Sequence, residues 1–183
     1  MIIGITGTNG SGKGAVVEYL VSAKGFSRYT ARVVILEEAR ARHAEVDREG
    51  MREVANALRK EHGPAYVIEK MFEMAKDDTN AVMESVRTIG EAEFLKTNKA
   101  FIIAVDADRK LRYERVANKS EADQITFEDF CKLEDREMSS SEPWDMNVFG
   151  VMQLADARIE NNGSLEDLHA QVDAALLTLK QPA

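Results

Sequence analysis

Short apolar runs alternate along the chain with longer segments in which apolar residues recur every three to four positions. Residues 2–6, 80–83 and 100–105 read as strands, and each precedes a segment of helical period, at 13–24, 89–96 and 109–117. A weaker strand at 26–30 leads into a charged helix at about 33–44, and 157–159 reads as the last strand. Ser164, with Asp167 three residues on, is an N-cap candidate for a closing helix whose apolar stripe is Leu165, Leu168, Val172, Ala175, Leu176 and Leu179. Strands separated by helices of this length return in one direction through right-handed crossovers. The expectation is an α/β fold, a five-stranded parallel sheet with helices on both faces. Residues 45–76, helical and charged, and 119–144, polar with Ser139-Ser140-Ser141 ahead of Pro143, fit this core poorly. Both read as mobile insertions in a single domain, 1–183.

Bulk properties narrow the partners. At 183 residues and 44% hydrophobic, the chain can bury one substantial core. Its 24 Lys+Arg against 32 Asp+Glu give a formal charge of -8, which disfavours nucleic acid and anionic membrane surfaces. No run approaches the length that crosses a bilayer, and glycines interrupt the N-terminal apolar segment before signal-peptide length. Cys131 has no second cysteine to bond to, which fits a reduced, cytoplasmic protein. His43, His62 and His169 lack ligand spacing, and Cys131 follows Phe127 and Phe130 in a helical pattern that suggests packing.

The sharpest chemical signal is Gly7-Thr8-Asn9-Gly10-Ser11-Gly12-Lys13-Gly14, a G-x-x-x-x-G-K phosphate loop between a strand and a helix. Its glycines let successive N–H groups turn inward, the following helix adds its positive end, and Lys13 supplies a compact charge to the outer phosphates. The plain alternative is a glycine-rich turn with a surface lysine. Where the motif usually has a hydroxyl residue touching Mg²⁺, this chain has Gly14 and then Ala15. Magnesium must then be held by ATP oxygens, water and a carboxylate from elsewhere.

Three segments carry a family resemblance: Gly4-Ile5-Thr6-Gly7 with Gly10-Ser11-Gly12-Lys13, then Ala81-Val82-Met83-Glu84-Ser85-Val86-Arg87, then Ala155-Asp156-Ala157-Arg158-Ile159-Glu160-Asn161-Asn162-Gly163-Ser164. Together they resemble the nucleoside monophosphate kinase-like P-loop proteins, adenylate-kinase-related and dephospho-CoA-kinase-like. The resemblance implies a P-loop nucleoside triphosphate hydrolase fold, with ATP bound by Thr8, Asn9, Gly10, Ser11, Gly12, Lys13, Gly14 and Ala15, and with Asn161 and Gly163 against the base. It implies that Glu84 holds Mg²⁺ through water and that Arg87 binds the acceptor's phosphate. It also implies lid arginines after the fourth strand, matched by Arg112 and Arg115 and more loosely by Lys119 and Arg136. Thr30 matches an acceptor-site hydroxyl residue, with residues 45–76, including Arg48, Arg52, Arg59 and Lys60, as the acceptor-binding insertion and 119–144 as the lid. Solvated helix faces are the plain alternative for the arginines, since Arg112 and Arg115 have Asp108 and Glu114 nearby in sequence. Trp144 beside Pro143 is a candidate anchor for the lid's return.

The expected function is transfer of a phosphoryl group from ATP to a nucleotide-like small molecule. A nucleoside monophosphate ranks first, dephospho-CoA second, and a nucleotide-sensing module that has lost turnover third.

Overall fold

The computed structural model describes residues 1–43, 45–118 and 125–179. Five strands form one sheet: β1 (Ile2–Gly7), β2 (Ser27–Thr30), β3 (Ala81–Glu84), β4 (Phe101–Asp106) and β5 (Ala157–Glu160). Their order is β2-β3-β1-β4-β5, and every pairing is parallel. The expected sheet is present, with strand ends displaced by a residue or so. Because all strands run the same way, the C-terminal ends of β1, β3 and β4 share one edge, where open α/β sheets bind ligands.

Alternation along the strands decides what covers each face. Ile3 and Ile5 of β1, Val82 of β3 and Ile103 of β4 pack against α1 (Lys13–Lys24) and α9 (Leu165–Leu179) through Val16, Leu20, Val172 and Leu176. On the opposite face Ala81, Met83 and Ile102 meet α2 (Ala31–Ala41), α3 (Arg48–His62), α4 (Tyr66–Met74) and α5 (Ile89–Thr97). A Cβ on Gly4 would lie 2.5 Å from Leu95 Cδ1, so α5 rests almost directly on β1.

The first of the two segments that fit the core poorly by sequence is part of it. Met51, Val54 and Leu58 of α3 and Val67, Ile68 and Met71 of α4 are buried in the same cluster as β3. The exposed Glu49, Glu53, Lys60 and Glu61 occupy the outer face of α3, which hid its apolar stripe. From the second segment, α7 (Phe127–Met138) buries Phe130, and α8 (Val148–Gln153), just beyond it, buries Val148 and Val151. The Lys60 ammonium lies 5.1 Å from the centre of the Trp144 ring, which ties the end of this segment to α3. Helix α6 (Arg109–Ala117) follows β4, and Lys119 lies outside the described residues, as does the side chain of Arg48.

One buried polar knot fixes α3 to the start of α5. Thr88 caps α5, and Glu91 reaches back to accept from the N–H groups of Arg87 (2.7 Å) and Thr88 (3.2 Å). Its other oxygen accepts from Arg59 Nε and Nη2 at 2.9 and 2.8 Å, and both side chains are almost wholly buried. Glu91→Ala leaves the Arg59 charge without its partner and should cost about 3–5 kcal/mol in urea unfolding. Thr88→Ala should cost about 1 kcal/mol. Losses that are equal and small would place the pair outside the cooperative core.

Candidate active site

The loop from Gly7 to Lys13 is bent by glycines in left-handed or positive-φ conformations, and each is also a point of close approach. At Gly7 (φ +133°) a Cβ would stand 1.9 Å from the Val105 carbonyl oxygen, and at Gly12 (φ +96°) 2.2 Å from Asn161 Nδ2. Strand β4 and the β5–α9 loop therefore press on the outside of the cradle. Ser11 Oγ donates to the Thr8 carbonyl at 2.8 Å, and Thr8 Oγ1 to Asp106 Oδ1 at 2.7 Å. Gly14 has nothing within 4 Å of a built Cβ, so the start of α1 is open on that side.

Lys13 folds back over this loop and donates to the carbonyls of Gly7 at 3.0 Å and Thr8 at 2.6 Å. Burial, helped by the nearby Arg87, lowers its pKa to about 7; Glu137 and Glu84 pull it the other way. Glu84 stands at the end of β3 as expected, but Arg28 Nη2 and Nε hold its carboxylate at 2.6 and 3.2 Å. Thr30 accepts from the Arg32 N–H at 3.0 Å and caps α2, so one lone pair of its hydroxyl is committed to the helix start.

The arginines after β4 are tied to the loop rather than spread over a solvated face. Arg112 is 5% exposed and donates to Ala107 O at 2.7 Å and Asn9 O at 3.2 Å. It is paired with the buried Glu134 of α7, which also takes Arg109 at 2.8 Å. The partners are not the Asp108 and Glu114 suggested by sequence proximity. Arg115 donates to the Asn161 carbonyl at 2.9 Å, and Asn161 Nδ2 donates to Ser11 O at 2.8 Å. Asn161 is thereby locked to the cradle, while Gly163 sits against Asp167 at the start of α9.

Beside the loop opens a cavity of about 720 Å³. Asn9 lines it, together with Arg32, Arg52, Arg59, Arg87 and Arg136. Most of these cations have acidic neighbours. Arg52 Nη2 meets both Asp145 oxygens at 2.8 and 2.7 Å, and Arg136 meets Glu49 at 2.9 Å. Arg87 lies 3.9 Å from Glu137. Lys13, Arg87, Arg112 and Arg115 are thus gathered around one edge of the sheet. Glu134 and Glu137 were missed in the sequence; their three-residue spacing on α7 was the available signal, within a stretch read only as polar.

Residues 3–145 match the AAA-domain family. A UPF0200 protein of Hyperthermus butylicus is 32% identical over 98% of this chain and 95% of its own length, and one of Aeropyrum pernix is 33% identical over 96% and 91%. The chain belongs to the AAA-domain and UPF0200 families. Among solved structures, TT1252 from Thermus thermophilus superposes with a TM-score of 0.66 at 22% identity, covering 100% of this chain and 98% of that one. A gluconokinase from Sinorhizobium meliloti gives 0.61 at 10% identity, covering 97% and 91%. Shikimate kinase from Acinetobacter baumannii gives 0.60 at 17%, covering 99% and 95%. At these identities the similarity establishes a P-loop kinase-like fold. Among the described residues of this UPF0200 chain no helix is long and apolar enough to cross a membrane, and no group of three or more His, Cys, Asp or Glu converges as a metal site.

The lowered pKa of Lys13 gives a signed test of phosphate binding. Without bound phosphate, Lys13 gives up its proton as the pH rises through about 7. Phosphate oxygens favour the charged form and return the pKa toward its ordinary value. Calorimetry of ATP binding in buffers of different ionisation enthalpy should show uptake of about one proton at pH 8, shrinking toward none near pH 6. Buffer-independent heats at pH 8 would mean that Lys13 does not meet the nucleotide.

Proposed function

We propose that the chain transfers the terminal phosphoryl group of ATP to a small, nucleotide-like acceptor. The observation that carries this reading is the cavity lined by arginines, which opens at Asn9 of the phosphate loop and contains Arg87. ATP lies along the loop from Thr8 to Ala15, its phosphates against the inward N–H groups and Lys13, its base toward Asn161 and Gly163. Arg87 grips the acceptor or the group in transit, a task suited to a forked guanidinium. Arg112 and Arg115 act by holding the Asn9 and Asn161 carbonyls, and so the cradle, in place.

The residues present fit Mg²⁺ as a water-mediated site. Glu84 stands at the strand end and its charge reaches Lys13, while Gly14 and Ala15 offer no hydroxyl. The ion, when bound, neutralises charge on the outer phosphates. Glu84, which also accepts from Arg28, would be the carboxylate that holds it through water.

A nucleoside monophosphate and dephospho-CoA are the two acceptors in view. An acceptor panel with γ-32P-labelled ATP separates them, giving a labelled nucleoside diphosphate or labelled CoA, and no labelled product would indicate a sensing module. Arg87→Ala should raise the acceptor KM or cut turnover by about tenfold or more while leaving ATP affinity nearly unchanged. An equal loss of ATP affinity would place Arg87 on the donor side. In the same assay Glu84→Gln should raise the Mg²⁺ requirement and lower turnover by about tenfold or more. Superimposable Mg²⁺ titrations would leave Glu84 as the partner of Arg28 alone.

A further inference from the structure

Helix α7 buries two of its carboxylates, Glu134 and Glu137, three residues apart and so adjacent on its surface. They meet different fates. Glu134 is enclosed by Arg109 and Arg112 and serves to pin α6 beneath α7. Glu137 lines the acceptor cavity, is 9% exposed, and brings Oε2 to 3.9 Å from Arg87 Nη1. Its charge also reaches Lys13. A buried carboxylate therefore faces the place where the cation that meets the γ-phosphoryl group and the cation that meets the acceptor come together.

Charge limits what can react there. An acceptor phosphate drawn to Arg87 would bring a second anion against Glu137 in a partly dehydrated cavity, where like charges repel strongly. It would also have no need of a base, being ionised already. An acceptor hydroxyl brings no charge, and its weakly acidic proton needs a carboxylate within reach. Arg32, at the first turn of α2, lines the same cavity and makes no ion pair among the described residues, so an anionic group elsewhere on the acceptor has a cation to meet.

We propose that Glu137 is the general base of the transfer and that the accepting atom is a hydroxyl oxygen of a molecule bearing an anionic group. This rests on the kinase reading above and narrows it. As the hydroxyl oxygen bonds to the γ-phosphorus, its proton passes to the Glu137 carboxylate. The bond from the γ-phosphorus to the β,γ-bridging oxygen breaks, and ADP leaves with that electron pair. Glu137 then returns the proton to water. Lys13 and Arg87 stay protonated and neutralise the equatorial oxygens.

The test uses the full chain with γ-32P-labelled ATP, offering dephospho-CoA, unphosphorylated nucleosides and nucleoside monophosphates. The label is expected as a phosphate monoester on a former hydroxyl. Glu137→Gln, which keeps the shape and removes the base, should lower kcat by about a hundredfold or more, with acceptor KM and ATP affinity within about threefold of wild type. Glu137→Asp should recover part of the rate, and matched thermal melts would show that neither variant is misfolded. Label in a nucleoside diphosphate would overturn the proposal and leave the kinase reading standing. An undiminished or faster Glu137→Gln enzyme, or one that binds ATP more tightly, would make Glu137 a stand-in for phosphate rather than a base. Tight ATP binding with no labelled product from any acceptor would remove the kinase reading and the proposal with it.

Discussion

A phosphate cradle has to turn its backbone N–H groups inward while the rest of the fold crowds its outer side, and the structure around it follows from that constraint. At Gly7 and Gly12 the neighbouring carbonyl of Val105 and amide of Asn161 stand closer than any side chain permits. The loop is thus held by β4 on one flank and the β5–α9 loop on another, with Arg112 on Asn9 and Arg115 on Asn161 completing the frame. Strand order places this cradle at the edge where β3 also ends, so Glu84 and Arg87 arrive beside Lys13 without further design of the backbone.

So much positive charge in one small region has to be balanced. The chain does this with carboxylates of graded accessibility. Arg59 and Arg112 are sealed with Glu91 and Glu134 and serve as scaffolding, because breaking either pair would strand a buried charge. Arg136 and Glu49 form a half-exposed pair joining α7 to α3, worth little in stability and easily exchanged for a ligand. Arg87 and Glu137 lie between these extremes, partly buried at the cavity wall. Accessibility thus separates the arginines sealed into the scaffold from those that line the cavity wall with water in reach.

The sheet, its parallel strands and the phosphate loop were legible in the sequence because each depends on local pattern: apolar runs of strand length, helical period, and glycines at fixed spacing. The segments at 45–76 and 119–144 were harder to read. Leu58 is a core residue in α3, a helix rich in charged positions, so its burial was visible only after the helix was docked. Ion-pair partners were the least legible. Arg112 chose Glu134, 22 residues away, over its neighbours in sequence, and Glu84 was taken by Arg28 from the adjacent strand. Such choices depend on which side chains the folded strands and helices bring together, which sequence spacing does not encode.

On the proposed function, Lys13 and the loop around it bind the triphosphate of ATP. Titration of ATP with Mg²⁺ into wild type and Lys13→Ala, at matched thermal stability, tests it most directly. Wild type should bind and the variant should lose affinity by about tenfold or more, as expected when a charge-assisted phosphate contact is removed. Equal affinity for the two proteins would contradict it.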